Sequence, residues 1–195
     1  MTRRMRTIFL AGALALGLSG PALAQRAVIV IRHAEKVSTS DERLSDAGHA
    51  RAQRLAAMLK DAGISAIYST DTERTRDTVK PLADLLKLPV QIYDVGSQKV
   101  DARGFALRMR QTHLDQVVLI VGHSNTVPAL IRALGCLETV TIGPDEYDDL
   151  FFVIPHGKTS SLVRIRSSGA WNTSPIPCLS KYASSWRWSR FETLW

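Results

Sequence analysis

Cysteine is scarce in this sequence, and no apolar segment is long. The two cysteines, Cys136 and Cys178, have no CxxC or Cys/His neighbour at ligand spacing, so a zinc site is not expected. Their spacing leaves open whether they form a disulfide or remain two thiols. The apolar run from Ile8 to Leu18 is shorter than the roughly 20 residues that a membrane-spanning helix needs. Repeats and low-complexity tracts are also missing, which favours an ordinary globular domain.

Dense clusters of positive charge are missing too. The chain carries a formal net charge of +7, but residues 1–24 contribute three arginines and no acidic residue, so the remainder carries +4. Such a mild excess suits a small anionic substrate or an anionic envelope surface. Nucleic acids are bound by lysines and arginines clustered on one element, so we expect no nucleic-acid partner.

Residues 1–24 have the features of a secretory signal peptide. Arginines precede the apolar run, and residues 22–24 form a small-x-small cleavage site before Gln25. The alternative is a retained membrane anchor, which the short, glycine-interrupted run disfavours. We therefore predict cleavage before Gln25, a periplasmic or secreted location, and no membrane span in the mature form.

Short apolar runs alternate with amphipathic segments along the rest of the chain. Ala27 to Ile31 and Val117 to Val121 lack polar alternation, which is typical of strands buried on both faces of a sheet. The segments Leu44 to Leu59 and Thr72 to Leu88 carry apolar stripes of helical period. This alternation predicts an α/β fold in three layers, with a mostly parallel central sheet flanked by helices.

We predict one domain over residues 25–169. Residues 170–195 contain the four tryptophans without a steady periodicity and are assigned to a C-terminal tail whose structure the pattern does not indicate. Further strands are predicted at residues 64–68, 90–93, 150–154 and 161–165, the last two forming a hairpin, and further helices at residues 103–113 and 126–134.

Polar residues directly follow two of the apolar strands. Arg32 and His33 end the first strand, and His123 ends the later one after Gly122. Parallel strands present their carboxyl ends at one edge of a sheet, so both imidazoles enter one crevice if the strands are neighbours. Arg74 follows the second strand, and guanidinium groups match phosphate oxygens. A lone histidine or arginine is more often structural or solvated, but four such groups together indicate a bound oxyanion, and a phosphoryl group fits.

Three segments together resemble the histidine phosphatase (phosphoglycerate mutase-like) superfamily, and in particular its small exported phosphatases. They are Arg32-His33-Ala34-Glu35, the Ser69 to Thr78 segment, and Gly122-His123-Ser124, accompanied by the helix opening Leu44-Ser45-x-x-Gly48. The resemblance covers about Ala27 to Ile165. It implies the three-layer fold, a phosphohistidine intermediate on His33, and a phosphate held by Arg32, Arg74 and His123.

The residues also predict a mechanism without a metal or cofactor. Neutral His33 attacks phosphorus in line, and water then hydrolyses the phosphohistidine. The neighbouring arginines disfavour protonation of His33 and stabilise charge on the phosphoryl oxygens. Ser124 and Asn125 are candidate neutral donors to the substrate, and Glu35 is a further candidate substrate contact beside the nucleophile.

Two departures from the superfamily pattern limit this prediction. Ala34 replaces a common glycine, which the turn tolerates only if it accepts a Cβ. The acid that protonates the leaving group is less evident. We favour Asp94 because it follows a strand, and Asp101 and Glu35 are alternatives. Asp94 could equally be an exposed loop acid without a catalytic role. The residues expected around a phosphoglycerate mutase site are missing, so mutase activity is disfavoured.

We therefore expect a phosphomonoesterase with a phosphorylated small-molecule substrate, such as an envelope phosphosugar. One alternative is a protein phosphohistidine phosphatase, against which the export signal argues. Another is a non-catalytic phosphate-binding module, against which the intact nucleophile argues. Two interpretations are open for Asp145, Glu146, Asp148 and Asp149, which either shape the rim of the substrate site or form a solvated loop, and we favour the loop. The oligomeric state is not indicated.

Overall fold

The computed structural model describes residues 25–94 and 102–167. The predicted signal peptide, Asp101, Cys178 and the predicted tail lie outside the described residues. Cleavage before Gln25, the domain limits and the pairing of the cysteines therefore stay predictions. Cys136 is buried.

Six strands and four helices alternate through most of the described chain. In order they are β1 (Ala27–Arg32), α1 (Asp46–Leu59), β2 (Ile64–Ser69), α2 (Glu73–Leu86), β3 (Val90–Ile92), α3 (Ala102–Thr112), β4 (Val117–Gly122), α4 (Thr126–Ala133), β5 (Asp149–His156) and β6 (Thr159–Arg166). No bound differs from its sequence prediction by more than two residues. Pro81 lies inside α2, which continues past it.

The strands form one sheet in the order β3-β2-β4-β1-β5-β6. The first four strands in this order are parallel, whereas β5 is antiparallel to β1 and β6 to β5. A two-residue turn joins β5 to β6, and Gly157 supplies the positive φ of 61° that such a turn requires. The predicted α/β fold with a mostly parallel sheet and the predicted hairpin are confirmed.

Two apolar cores lie on the two faces of the sheet. On one face, β4 buries Leu119 against the α1 and α2 side chains; on the other, it buries Ile120 against α3 and α4. Successive strand residues point to opposite faces, so a run without polar residues fills both cores. Each fully buried aliphatic side chain contributes about 1.5 to 3 kcal/mol. Among the described residues, no helix is long and apolar enough to cross a membrane.

Candidate active site

The carboxyl ends of the parallel strands open into a cavity of about 810 Å³. Arg32 and His33 reach it from β1, Arg74 from the start of α2, and His123 from the end of β4. Cavities at this edge are the usual ligand sites of open α/β sheets. The structure thus brings together the four side chains that the sequence singled out.

The two histidines are adjacent because β1 and β4 are neighbours in register. Arg32 pairs with Gly122 across the sheet, and the amide of His33 donates to the Gly122 carbonyl at 2.9 Å. The imidazole of His123 follows one position later, and its ring centroid lies 5.4 Å from that of His33. A side chain on Gly122 would collide with the hydroxyl groups of Thr126 and Tyr93, so the tight packing beneath His123 requires a glycine.

His33 is held as a neutral imidazole with one defined tautomer. It is 5% exposed, and its Nδ1 lies 2.7 Å from the carbonyl oxygen of Ala34. A carbonyl can only accept, so Nδ1 carries the hydrogen and Nε2 carries the lone pair. Burial, with help from Arg74, His123 and Arg32, lowers the pKa of His33 to about 4, although the Ala34 hydrogen bond opposes the shift. Nε2 is therefore the ring nitrogen whose lone pair is available for reaction.

The turn after His33 accepts the side chain of Ala34. Its methyl group is buried beside Leu44 and Ala52, and its amide donates to the Thr78 hydroxyl at 2.9 Å. Ala34 is not one of the described non-glycine residues that have a positive φ angle. The replacement of the common glycine is thus compatible with this turn. Gly48 is less replaceable, because a Cβ there would run into the Glu35 carbonyl.

Arg32 is held by main-chain groups and an aromatic ring. Its Nη1 lies 2.8, 2.9 and 3.1 Å from the carbonyl oxygens of Gly143, Pro144 and Glu146. Its guanidinium carbon lies 4.0 Å from the centre of the Tyr147 ring, a cation–π geometry. The Nε of Arg32 is buried and has no hydrogen-bond partner among the described residues. That N–H is a donor available to an anion.

Arg74 and His123 form a second linked pair. The Nη2 of Arg74 lies 3.2 Å from Nδ1 of His123, and a guanidinium only donates, so Nδ1 accepts. Nε2 of His123 then donates to the Thr70 hydroxyl at 2.9 Å. Burial first, and then Arg74, lowers the pKa of His123 to about 4, while Glu42 acts in the opposite direction. The Arg74 Nε is buried without a partner among the described residues, and the Glu42 carboxylate ion-pairs with Nη1.

The weaker site predictions divide into two groups. Asp94, Ser124 and Asn125 line the cavity, as expected of substrate contacts. Glu35 is not among the lining residues, because its carboxylate binds the guanidinium of Arg51 at 2.5 and 2.8 Å. The predicted substrate contact by Glu35 is thus corrected: this carboxylate ties the motif turn to α1 instead.

The solvated-loop interpretation of residues 145–149 is wrong for two of its acids. Asp149 is 3% exposed and binds Arg164 at 2.5 and 2.7 Å. Glu146 accepts from the Gly143 amide at 2.8 Å and from Arg166 at 3.1 Å. These contacts shape the turn that supports Arg32. The signal in the sequence was the facing arginines of β6, which pair with the acids only once the hairpin register is known.

Sequence reasoning also missed three residues beside the cavity. The centre of the Tyr147 ring lies 5.8 Å from that of His33 and 4.0 Å from the guanidinium carbon of Arg32. Lys36 lines the cavity, and Glu42 reaches it through Arg74. Each stands in an irregular polar stretch, where periodicity carries no signal. Among the described residues, no group of three or more His, Cys, Asp or Glu side chains is arranged to hold a metal ion.

A family model named histidine phosphatase superfamily (branch 1) matches residues 28–95. This segment carries the His33 turn and Arg74. Over this segment the chain is similar to the histidine phosphatase superfamily. Because the match covers about a third of the chain, membership in the superfamily and the phosphatase activity that it implies stay predictions. Membership in a small exported branch stays a prediction.

Several solved structures share the fold of this chain. The protein histidine phosphatase SixA complexed with tungstate is 16% identical, with a TM-score of 0.59 over 72% of this chain and 97% of that chain. The mycobacterial glucosyl-3-phosphoglycerate phosphatase complexed with VO3 is 17% identical, with a TM-score of 0.59 over 73% and 100%. A phosphoserine phosphatase from Entamoeba histolytica with 3-phosphoglyceric acid is 14% identical, with a TM-score of 0.58 over 74% and 98%. No curated protein is significantly similar in sequence.

Proposed function

We propose that this protein is a phosphatase of the histidine type, which hydrolyses a phosphomonoester through a covalent intermediate on Nε2 of His33. The observation that carries the proposal is the state of His33: a neutral imidazole with its lone pair on Nε2, flanked by Arg32 and Arg74. A neutral imidazole beside two permanent cations is suited to attack an anionic phosphoryl group. The Nε donors of Arg32 and Arg74, which are buried and have no partner among the described residues, supply hydrogen bonds for its oxygens.

The proposed reaction has two steps. The Nε2 lone pair of His33 forms a bond to phosphorus as the ester P–O bond breaks, and the leaving oxygen takes up a proton. Water then attacks phosphorus, the N–P bond breaks, and phosphate leaves with His33 neutral again. Arg32, Arg74 and His123 stabilise the charge on the phosphoryl oxygens during both steps. We assign protonation of the leaving oxygen to Asp94, which lines the cavity after β3.

We further propose that the substrate is a phosphosugar of the cell envelope, met in the periplasm or outside the cell. The signal-peptide pattern of residues 1–24 supports this location. The mild positive charge of the remaining chain suits a small anionic substrate. Similar structures are named for a protein histidine phosphatase, a sugar-phosphoglycerate phosphatase and a phosphoserine phosphatase, so the fold alone does not select among substrates.

The test is release of phosphate from a chromogenic aryl phosphate by the chain produced from Gln25 onward. We expect turnover that vanadate inhibits. His33→Ala should lower the rate by at least about a thousandfold while inorganic phosphate still binds. His156→Ala, which removes an exposed imidazole at the β5–β6 turn, is the matched control and should keep full activity.

The proposed intermediate is examined separately by rapid acid-free denaturation of the enzyme during turnover of a ³²P-labelled substrate. We expect label that is stable to alkali and labile to acid, as for an N–P bond, and no label on His33→Ala. Full activity in His33→Ala would overturn the proposal. Phosphate binding without turnover by the unaltered chain would favour a phosphate-binding module, and hydrolysis of phosphohistidine alone would favour the protein phosphatase alternative.

A further inference from the structure

The loop between β1 and α1 places a carboxylate against Arg74, one of the residues that line the cavity. Lys36 and Leu44 pair as an isolated antiparallel bridge, and the Val37 amide donates to the Arg43 carbonyl at 3.0 Å. These contacts close residues 36–44 into a short hairpin-like loop. Glu42 lies on its returning arm, and its Oε1 forms an ion pair with Nη1 of Arg74. The loop is therefore shaped to hold an acid against this guanidinium.

The ion pair between Glu42 and Arg74 joins groups of unequal exposure. The Glu42 side chain is 53% exposed, whereas the Arg74 side chain is 14% exposed. An exposed carboxylate keeps most of its hydration, so such a pair contributes little and breaks at low cost. Arg74 and, more weakly, Lys36 lower the pKa of Glu42, so the carboxylate is ionised at neutral pH. Lys36 is thus a second cation near the same carboxylate.

Arg74 has only a limited set of donors to offer a phosphoryl group. Its Nη2 is bonded to Nδ1 of His123, and its Nε is buried without a partner among the described residues. Glu42 takes Nη1. A phosphoryl group that binds Arg74 in bidentate fashion needs two adjacent N–H donors. A phosphoryl group that uses Nη1 as one of these donors must displace the Glu42 carboxylate, which is exposed and ion-paired with that nitrogen.

We propose that the Glu42 carboxylate competes with the phosphoryl group for Arg74 and thereby sets the affinity of this pocket for phosphate. This inference rests on the proposed function, because it takes the pocket to be a phosphate site. The competition is specific to Arg74, since Arg32 is bonded to main-chain carbonyls and faces no carboxylate among the contacts described here. Glu42 is thus a determinant of affinity and has no part in bond making.

The experiment measures the dissociation constant of inorganic phosphate by calorimetry on the full chain. Glu42→Gln keeps the shape of the side chain and removes its charge, and it should bind phosphate about two- to fivefold more tightly, the range for an exposed ion pair. The matched control is Asp41→Asn. Asp41 lies on the same loop, but its partner is Arg43. Its phosphate affinity should equal that of the unaltered chain.

A double-mutant cycle tests whether Glu42 acts through Arg74. In an Arg74→Ala background, Glu42→Gln should no longer tighten phosphate binding. Unchanged or weaker binding in Glu42→Gln overturns the inference, and so does tightening that persists without Arg74. If the unaltered chain does not bind phosphate, the proposed function fails as well. If it binds phosphate and Glu42→Gln binds equally well, only this inference fails.

Discussion

The two guanidinium groups that flank His33 are held in different ways. Arg32 is bonded to three main-chain carbonyls of the turn after Ile142 and is stacked on Tyr147. Arg74 is bonded to side chains, the imidazole of His123 and the carboxylate of Glu42. One side of the pocket is therefore built into the fold, whereas the other is held by groups that an anion can replace.

The two arginines should therefore respond differently when a ligand binds in the pocket. A main-chain carbonyl that loses its donor in a partly buried turn costs about 1 to 3 kcal/mol, so Arg32 keeps its partners when a ligand arrives. An exposed carboxylate is worth about 0 to 1 kcal/mol to its partner, so Arg74 can exchange Glu42 for a phosphoryl oxygen. On the proposed mechanism, the Arg32 side of the pocket stays fixed, whereas the Arg74 side can adapt to the substrate.

The largest expected effect comes from removing each arginine in turn. Arg32→Ala and Arg74→Ala should each lower kcat/KM by about a hundred- to a thousandfold, because each removes charge stabilisation from the phosphoryl oxygens. Only Arg32→Ala should also lower the free energy of unfolding, by about 1 to 3 kcal/mol, since three carbonyls lose their donor. Steady-state kinetics and urea unfolding measure the two quantities.

Equal free energies of unfolding for Arg32→Ala and Arg74→Ala would contradict this difference between the two arginines. In that case the turn at residues 143–146 does not depend on Arg32, and the pocket has no rigid side. Asp149→Asn tests the same point in the turn that holds Arg32. It weakens the contact with Arg164 and should lower the free energy of unfolding, with a smaller loss of activity than Arg32→Ala.

The next effect is on the titration of the histidines. The pKa of both His33 and His123 lies near 4, below the ordinary 6.5, so each binds fewer protons in the folded chain than in the unfolded chain. The free energy of unfolding should therefore fall as the pH drops from about 6.5 through 4. Arg74 lowers each pKa more than Arg32 does, so Arg74→Ala should raise both pKa values further than Arg32→Ala.

Histidine-selective NMR on the ligand-free protein follows these titrations without interference from substrate ionisation. The chain has five histidines, and single substitutions to glutamine identify the signals of His33 and His123. Midpoints of His33 and His123 that stay near 6.5 would contradict the neutral nucleophile. A larger rise with Arg32→Ala than with Arg74→Ala would reverse the electrostatic order of the two sides.

The smallest expected effect is that of Tyr147. Tyr147→Leu keeps apolar bulk but removes the ring that contacts Arg32 at 4.0 Å and His33 at 5.8 Å. We expect kcat to fall about two- to thirtyfold, the range for loss of a cation–π contact, with KM little changed. Tyr147→Phe retains the ring and should restore kcat. Equal loss in both variants would assign the effect to the hydroxyl group instead.

Much of this site could be predicted from local sequence. Arg32, His33 and His123 follow short, continuous apolar runs, and the point where such a run stops marks the end of a buried strand. Tyr147 and Glu42 could not be found in this way, because both lie in irregular stretches and their roles depend on contacts with residues that are distant in sequence. Glu35 shows the opposite error: its place beside His33 suggested a substrate contact, whereas Arg51 of α1 binds its carboxylate.

The sequence by itself determined the order of strands and helices, the α/β class and the residues that end β1 and β4, because these follow from periodicity and from short-range chemistry. Only the tertiary structure decided that β1 and β4 are in register, that three carbonyls hold Arg32, and that a loop carboxylate reaches Arg74. The physical reason is the range of the interactions. Patterning acts between residues a few positions apart, whereas the partners of Arg32 lie more than 100 positions away along the chain.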